Sequence, residues 1–92
     1  MPRITHDQAN HCFILTLDVD GEEVRALLEY KRFDVMIDGQ ATPMIDFRRT
    51  FVPTPFRGKG LAEKLVREGL QWARQENFRI SASCWYVDRF LR

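Results

Sequence analysis

The sequence has few of the side chains that most often bind metals or cross-link small proteins. It contains two cysteines, Cys12 and Cys84, and two histidines, His6 and His11. The cysteines form no CxxC pair and two histidines make a weak ligand set, so no metal site is expected. Widely separated cysteines favour two reduced thiols over a disulfide, which is typical of a cytoplasmic protein, and we expect that location.

The chain also lacks an excess of charge of one sign and any long apolar run. Its 14 Lys and Arg residues against 13 Asp and Glu give a net charge of +1, which argues against a general nucleic-acid binder. The longest apolar runs are a few residues, so no membrane span is expected. The polar start MPRITHDQAN does not have the pattern of a secretory signal. Residues 1–92 are expected to form one domain around one core.

What the sequence does contain is a series of short segments that alternate apolar and polar side chains, as β-strands do. These segments are 11–18, 24–37, 44–52 and 78–84. Asp20-Gly21 and Asp38-Gly39 are typical of hairpin turns and predict antiparallel pairing of the first three. Within the second segment the alternating apolar residues stand at even positions as far as Tyr30 and at odd positions from Phe33 onward. We therefore expect a bulge near Lys31-Arg32 that keeps them on one face.

Two other segments have the composition of helices. Residues 60–76 carry a broad apolar stripe that predicts an amphipathic helix, and Asn77 is expected to end it. Residues 85–92 are too aromatic for a loose tail and predict a short closing helix. The order is therefore antiparallel strands, helix, strand and helix, which indicates an α+β fold.

The segment PFRGKG, which leads into the predicted helix, has no Ser or Asp at the normal capping position. The first turn of a helix leaves N–H groups without partners and carries a partial positive charge. Gly58 and Gly60 permit close approach by a bulky ligand, and Arg57 and Lys59 add positive charge. The loop is therefore a candidate phosphate-binding cradle.

A simpler interpretation of the same segment stays open. Thr54-Pro55 could start a single helical turn that Gly58 ends. The spacing matches neither a P-loop nor a dinucleotide-binding fingerprint, and short glycine motifs alone are weak evidence.

The segment resembles the acyl-CoA loop of the GCN5-related N-acetyltransferases, with the motif Arg/Gln-x-x-Gly-x-Gly/Ala. Arg57, Gly60 and Ala62 match it. More closely, residues 23–91 are similar to a family of very short acetyltransferase-like proteins that share T-x-V-P, RGKG-(I/L)-A and C-x-(F/Y)-V. The matching positions are Thr50, Val52-Pro53, residues 57–62, Leu65-Val66, Ala73, Cys84 and Tyr86-Val87.

The resemblance implies an abbreviated acetyltransferase fold. This is a mostly antiparallel sheet of about five strands, with a central helix after the fourth strand and a short C-terminal helix. It also implies acetyl-CoA as cofactor, with its pyrophosphate on the amides of residues 58–62 and its pantetheine along the end of the fourth strand. The cofactor-binding residues expected on this basis are Phe51, Val52, Arg57, Gly58, Lys59, Gly60, Leu61 and Ala62.

Cys84 and Tyr86 are the candidate catalytic residues. A thiol at a helix N-terminus has a lowered pKa, and a thiolate near a thioester could accept the acetyl group and pass it on. Tyr86 could protonate the leaving CoA thiolate. Both residues could instead only pack against the core. Direct attack by an amine would need no protein nucleophile.

Other side chains give weaker signals. His6 or His11 could act as a base, but structural histidines are more common. Arg48-Arg49 could contact an acidic acceptor or a phosphate, or simply cover a solvated strand edge. Trp72, Trp85, Phe90 and Leu91 are expected in the core.

Arg49 stands where many short-family members have a histidine. The chain also lacks the two helices that close the acceptor side of full-length acetyltransferases. That side would then be open or completed by a partner chain, such as the second subunit of a homodimer.

Three functions remain open on the sequence alone. The first is transfer of an acetyl group from acetyl-CoA to an amine, on a small molecule or a protein. The second is non-catalytic binding of acyl-CoA, and the third is a small α+β interaction domain. The RGKGLA segment favours the first two, because an interaction domain has no need of it.

Overall fold

The computed structural model describes residues 2–91, which form one mixed sheet with two helices. The strands are β1 (Arg3–Asp7), β2 (Cys12–Val19), β3 (Glu22–Ile37), β4 (Gln40–Phe51) and β5 (Arg79–Ala82). The helices are α1 (Leu61–Gln75) and α2 (Trp85–Asp88), and 3-10 turns span Thr54–Phe56 and Arg89–Leu91. The sheet order is β1-β2-β3-β4-β5; the first four strands are antiparallel, and β5 runs parallel to β4. The expected fold is confirmed.

The two predicted hairpin turns are present. Asp20 and Gly21 have φ of 51° and 82°, and Asp38 and Gly39 have φ of 51° and 79°. Two successive residues with positive φ make the turn that best matches the twist of an antiparallel hairpin. The strand β1 was not predicted, because its five residues RITHD contain one aliphatic side chain and lie in a polar segment.

An irregularity does occur close to the predicted place, because the register of β3 and β4 shifts between Glu29 and Tyr30, just before Lys31-Arg32. The prediction is wrong in its strand and its effect, because β3 itself is continuous here and its apolar positions are not kept on one face. Glu29 faces Arg49 and Tyr30 faces Phe47, so the extra residue is Arg48 of β4.

The change of apolar phase in β3 has a different cause. Tyr30 is buried, and strict alternation then places Phe33, Val35 and Ile37 on the opposite face of the sheet. These side chains lie beyond the part of the sheet that α1 covers.

The core lies between the sheet and α1. The buried residues of α1 are Leu65, Val66, Gly69, Leu70 and Ala73. They pack on inward-facing side chains of β2, β3 and β4, which include Leu15, Leu28 and Phe47. Val87 of α2 belongs to the same core, so both helices cover one face of the sheet.

The helix α1 ends as the sequence predicts. Asn77 has a φ of 61°, its N–H donates to the carbonyl of Arg74, and the N–H of Phe78 donates to the carbonyl of Ala73. This pair of bonds is the Schellman motif. In the part of the chain that the structure describes, no helix has the length and apolar character needed to span a membrane.

Candidate functional site

A cleft opens where the two parallel strands separate. β4 and β5 pair only from Met44–Arg79 to Phe47–Ala82, after which β4 continues alone to Phe51. The space between the strand ends has a volume of about 410 Å³ and is bounded on its other side by the loop that precedes α1. The bulge at Arg48 sets which side chains face this space. It turns Thr50, opposite the buried Leu28, toward the side of the sheet that carries the helices.

The loop before α1 exposes uncapped helix amides to the cleft. Gly60 is the N-cap residue with φ 72°, and no side chain caps the helix. The first backbone bond of the helix runs from the Lys64 N–H to the Gly60 carbonyl at 3.1 Å. The amides of residues 61–63 precede this bond and have no acceptor within the helix. An anion placed here would receive N–H donors and the positive end of the helix dipole.

Glycine is required in this loop for conformation and not because of crowding. Gly58 and Gly60 have φ of 76° and 72°, values that side-chain-bearing residues rarely adopt. A Cβ atom at either position would meet no heavy atom within 4 Å. The space beside both glycines is therefore open to a ligand.

Both sequence interpretations of the segment before α1 describe part of the structure. Thr54–Phe56 does form a single 3-10 turn, although its N-cap is Pro53 and no side chain caps it. Phe56 is 1% exposed and anchors this turn in the core. The turn thereby holds the glycine loop in place, and the Nε–H of Arg57 donates to the Val52 carbonyl at 3.4 Å.

Most of the predicted cofactor-binding residues line the cleft, and three do not. Those that line it are Val52, Arg57, Gly58, Gly60 and Ala62. Phe51, which is 46% exposed, faces Leu27 across the ladder, on the face opposite Thr50. Lys59 is exposed at the loop tip, and Leu61 packs against the core.

Cys84 lies at the base of the cleft as the N-cap residue of α2. Its N–H donates to the Phe47 carbonyl at 3.1 Å, and its Sγ lies 3.5 Å from Oγ1 of Thr50. Burial raises the pKa of the Cys84 thiol, but hydrogen bonds from Thr50 and from the amides of the first turn of α2 outweigh burial. The pKa is therefore below that of an ordinary thiol. Cys84 also packs against the core, so its two sequence interpretations are compatible.

Tyr86 is half-buried and lines the same cleft. Its ring makes edge contacts with Trp85 and Phe90, with centroids 5.9 Å and 5.4 Å away. The structure thus brings both candidate catalytic residues together with the glycine loop.

Four further residues line the cleft, and no functional role was predicted for them: Thr50, Phe56, Glu63 and Trp85. Trp85 was expected in the core and is 72% exposed, because Val87 is the residue through which the short helix α2 is buried. Thr50 belongs to the T-x-V-P pattern, which was a usable signal. Glu63 forms an ion pair with Arg67 at 3.2 Å, as its i,i+4 spacing predicts.

The histidines do not reach the cleft. His6 lies on β1, at the edge of the sheet opposite β5. Its ring stacks on Phe13 at 3.9 Å, and its Nε2 lies 2.7 Å from the Tyr30 hydroxyl. His11 has φ 52° and stacks on Tyr30 at 5.3 Å. Both histidines therefore have structural contacts.

Arg48 and Arg49 line a separate surface depression next to His11. Arg49 forms an ion pair with Glu29 at 3.3 Å across the strands. This exposed contact lies past the end of the β4–β5 ladder and fits the interpretation of a solvated strand edge.

Comparison with known proteins agrees with the fold. A family model described as GCN5-related N-acetyl-transferase matches residues 13–92. Over 90 residues the chain is 30% identical to Protein NATD1 of Bos taurus and 28% identical to Protein NATD1 of Homo sapiens. Each comparison covers 98% of this chain and 72% of the relative.

Among solved structures, the chain resembles the apo aminoglycoside antibiotic 6'-N-acetyltransferase AAC(6')-IG from Acinetobacter haemolyticus, with a TM-score of 0.55 and 20% identity. The match covers 88% of this chain and 59% of that enzyme, so the chain spans less than two thirds of the enzyme's length. This likeness shows a shared fold. Together with the family match over residues 13–92, it shows that the chain belongs to the family of GCN5-related N-acetyltransferases.

Proposed function

We propose that the chain binds acetyl-CoA in the cleft between β4 and β5 and transfers the acetyl group to an amine. The observation that carries the proposal is the position of the Cys84 thiol, in the same cleft as the uncapped N-terminus of α1. An anion-binding loop and a nucleophile of lowered pKa in one cleft suit a ligand with a phosphate end and a reactive acyl end.

The residues of the cleft fit the chemical parts of this cofactor. The N–H groups at the start of α1 are free to donate hydrogen bonds to the pyrophosphate, and Arg57 and Lys59 add positive charge to the same loop. The side chains of Val52 and Phe56 give the cleft an apolar wall that suits the pantetheine arm. The thioester supplies an activated acetyl group.

Two roles of Cys84 are consistent with its surroundings. Its lowered pKa increases the thiolate fraction near neutral pH, so the thiol can act as an acyl acceptor before the amine does. If the amine instead attacks directly, Cys84 and Thr50 form the polar end of the cleft. In both cases the hydroxyl of Tyr86 is the candidate proton donor to the leaving thiolate.

The second candidate function is binding of acyl-CoA without turnover. Of the residues that line the cleft, Glu63 is the only carboxylate, and it is paired with Arg67. None of the lining residues is a histidine. A base for the acceptor ammonium group would then have to come from solvent or from a partner.

Thermal unfolding with acetyl-CoA, free CoA or ADP tests the cofactor proposal. A ligand at ten times its Kd adds about 1.4 kcal/mol, or roughly 6–11 °C in Tm for a domain of this size. We expect a shift with both CoA species and little with ADP. Gly60→Glu should abolish the shift, because it places bulk and negative charge where the pyrophosphate would lie.

Gly39→Glu is the matched control. Gly39 has φ 79° and open space beside it, as Gly60 does, but it lies in the β3–β4 turn. The Gly39→Glu protein should be destabilised by backbone strain about as much as the Gly60→Glu protein, but its Tm should still increase with CoA. No shift in the wild-type protein at millimolar CoA would exclude both candidate functions. Formation of free CoA from acetyl-CoA in the presence of amines would indicate turnover, whereas a Tm shift without CoA formation would indicate binding alone.

A further inference from the structure

The carboxylate of Asp46 joins β4 to the segment that carries Cys84. Asp46 lies directly opposite Ser81 in the parallel ladder. Its Oδ1 accepts hydrogen bonds from the Ser81 hydroxyl at 2.8 Å and from the Ser83 N–H at 3.0 Å. Its Oδ2 accepts a hydrogen bond from the Ser83 hydroxyl. One side chain thus satisfies three donors on β5 and on the residues that follow it.

These bonds lie at the point where the two strands separate. The β4–β5 ladder ends at the pair Phe47–Ala82, and the chain then leaves the sheet through Ser83 and Cys84 to enter α2. Two backbone N–H groups of this link donate to β4. Cys84 donates to the carbonyl of Phe47, and Ser83 donates to the side chain of Asp46. The carboxylate therefore extends the attachment of β5 one step past the end of the ladder.

The thiol depends on this link for its surroundings. Its hydrogen-bonding contacts are with Thr50 of β4 and with the first-turn amides of α2, two elements that meet only at the cleft. If residues 83–84 moved away from β4, the distance of 3.5 Å between Sγ and the Thr50 hydroxyl would increase. A small displacement is enough to lose a contact of this length.

A carboxylate suits this position because all three of its partners donate. An ionised aspartate is an acceptor only, with two oxygens and room for about four bonds. Its charge cannot be what favours the thiolate, because a nearby negative charge disfavours a second one. The carboxylate therefore acts on Cys84 through geometry.

We propose that Asp46 is a positioning residue for Cys84, whose carboxylate holds the Ser83–Cys84 link so that the thiol stays beside Thr50. The importance of this thiol for acetyl transfer rests on the proposed function. The positioning itself is a property of the protein without ligand, and it can be tested without acetyl-CoA.

The test is the pH dependence of Cys84 alkylation by iodoacetamide, with Cys12 replaced by serine so that one thiol reacts. Asp46→Ala should move the midpoint of the profile to higher pH, because the thiolate loses the hydrogen bond from Thr50. The alkylation rate at pH 7 should fall about threefold to tenfold, since one pKa unit changes the thiolate fraction about tenfold. Asp34→Ala is the matched control, because Asp34 is an exposed aspartate on β3 that faces Pro43.

Three results separate positioning from charge and from unfolding. Removal of a charge alone would move the midpoint to lower pH, opposite to loss of position. Asp46→Asn should have a midpoint at or slightly below the wild-type value. Its amide oxygen can accept from Ser81 and Ser83 while its NH2 donates to the Ser83 hydroxyl, so that the position is kept while the charge is removed. Ser83→Ala is a milder change, because it removes the hydroxyl and keeps the hydrogen bond from the Ser83 N–H to Asp46. It should move the midpoint to higher pH, as Asp46→Ala does, but by less.

A midpoint for Asp46→Ala that equals the Asp34→Ala value, or lies below it, would overturn the proposal. This holds whether or not the protein binds acetyl-CoA. A failure of the ligand-induced Tm shift would count against the proposed function and leave the alkylation result intact.

Discussion

At the scale of single residues, His6 shows how burial among aromatic rings sets protonation. Its ring stacks on Phe13 and meets the edge of Trp72 at 4.5 Å. Burial lowers the pKa of His6; the charge of Asp7 raises it, and Arg32 and His11 lower it. The folded protein therefore holds this histidine in its neutral form to a lower pH than the unfolded chain does.

The protein should consequently lose stability as the pH falls through the ordinary His pKa of about 6.5. The unfolded chain binds a proton there, whereas the folded protein, in which the pKa of His6 is lower, resists protonation. Urea unfolding at pH values on either side of about 6.5 measures the effect. His6→Phe, which keeps an aromatic ring between Phe13 and Trp72, should flatten the dependence.

His11→Asn is the control, because it leaves the ring contacts of His6 in place. It should retain the pH dependence. Equal slopes for wild type and His6→Phe would show that another group is responsible.

Residue identity predicted some of the site and missed the rest for a physical reason. The glycines of the loop and the thiol have chemistry that can be read from the sequence alone. The exposure of Trp85 cannot, because it depends on which side of a four-residue helix reaches the core. The orientation of Thr50 likewise depends on a bulge two residues earlier in β4.

At the scale of elements, α1 packs tightly on the sheet at Gly69. A Cβ on this residue would lie 2.7 Å from Leu28 Cδ2 and 3.2 Å from Phe47 Cε1. Both neighbours are fully buried, so neither can move aside freely. The glycine is thus a packing requirement in the middle of an otherwise regular helix.

Gly69→Ala should therefore destabilise the protein by about 1–2 kcal/mol. Alanine gains about 0.5–1 kcal/mol in helix propensity, but overpacking a buried contact costs about 1–3 kcal/mol. Chemical denaturation measures the balance. Gln71→Ala, at an exposed position of the same helix, should change the free energy of unfolding by less than about 0.5 kcal/mol. A stabilised Gly69→Ala protein would contradict the close packing.

Apart from β1, the sequence predicted which strands and helices form, but it did not predict which strand carries the bulge. The turns at Asp20-Gly21 and Asp38-Gly39 are encoded by local backbone preference. The bulge was placed in the wrong strand, because the phase change in β3 was interpreted as a demand for one apolar face. Neighbouring strands decide which face is covered, and that information is not local.

At the scale of the whole molecule, the β3–β4 hairpin projects from the body. β2 pairs with β3 as far as Glu29, and β5 meets β4 only from Met44 onward. Residues 34–43 thus form a two-stranded arm, because Asp34 pairs with Pro43 and β5 reaches no further than Met44. The molecule measures 54 × 27 × 18 Å. Met36 on this arm is 70% exposed, and Phe33 at its base is 37% exposed.

We expect the arm to exchange its amide hydrogens sooner than the core does. Two strands alone are marginally stable in water, and local opening exposes few apolar contacts. Hydrogen exchange should give protection at least about tenfold lower for residues 34–43 than for the β3–β4 pairs near Leu28, a difference of about 1.4 kcal/mol. Equal protection would contradict this expectation. Protection of the arm that increases with protein concentration would indicate pairing with a second copy, and the homodimer stays a prediction until then.

The parallel placement of β5 has a consequence for the order in which the molecule is assembled. Within residues 2–91, β1 to β4 are joined by short turns, whereas residues 52–78 separate β4 from β5. During synthesis the four-strand meander can pair while the C-terminal residues are still inside the ribosome. The side of the cleft that Cys84, Trp85 and Tyr86 form is absent until these residues have been synthesised. The proposed binding of acetyl-CoA should therefore be the last property that a newly made chain acquires, and a chain cut before β5 would have a sheet to fold but no cleft.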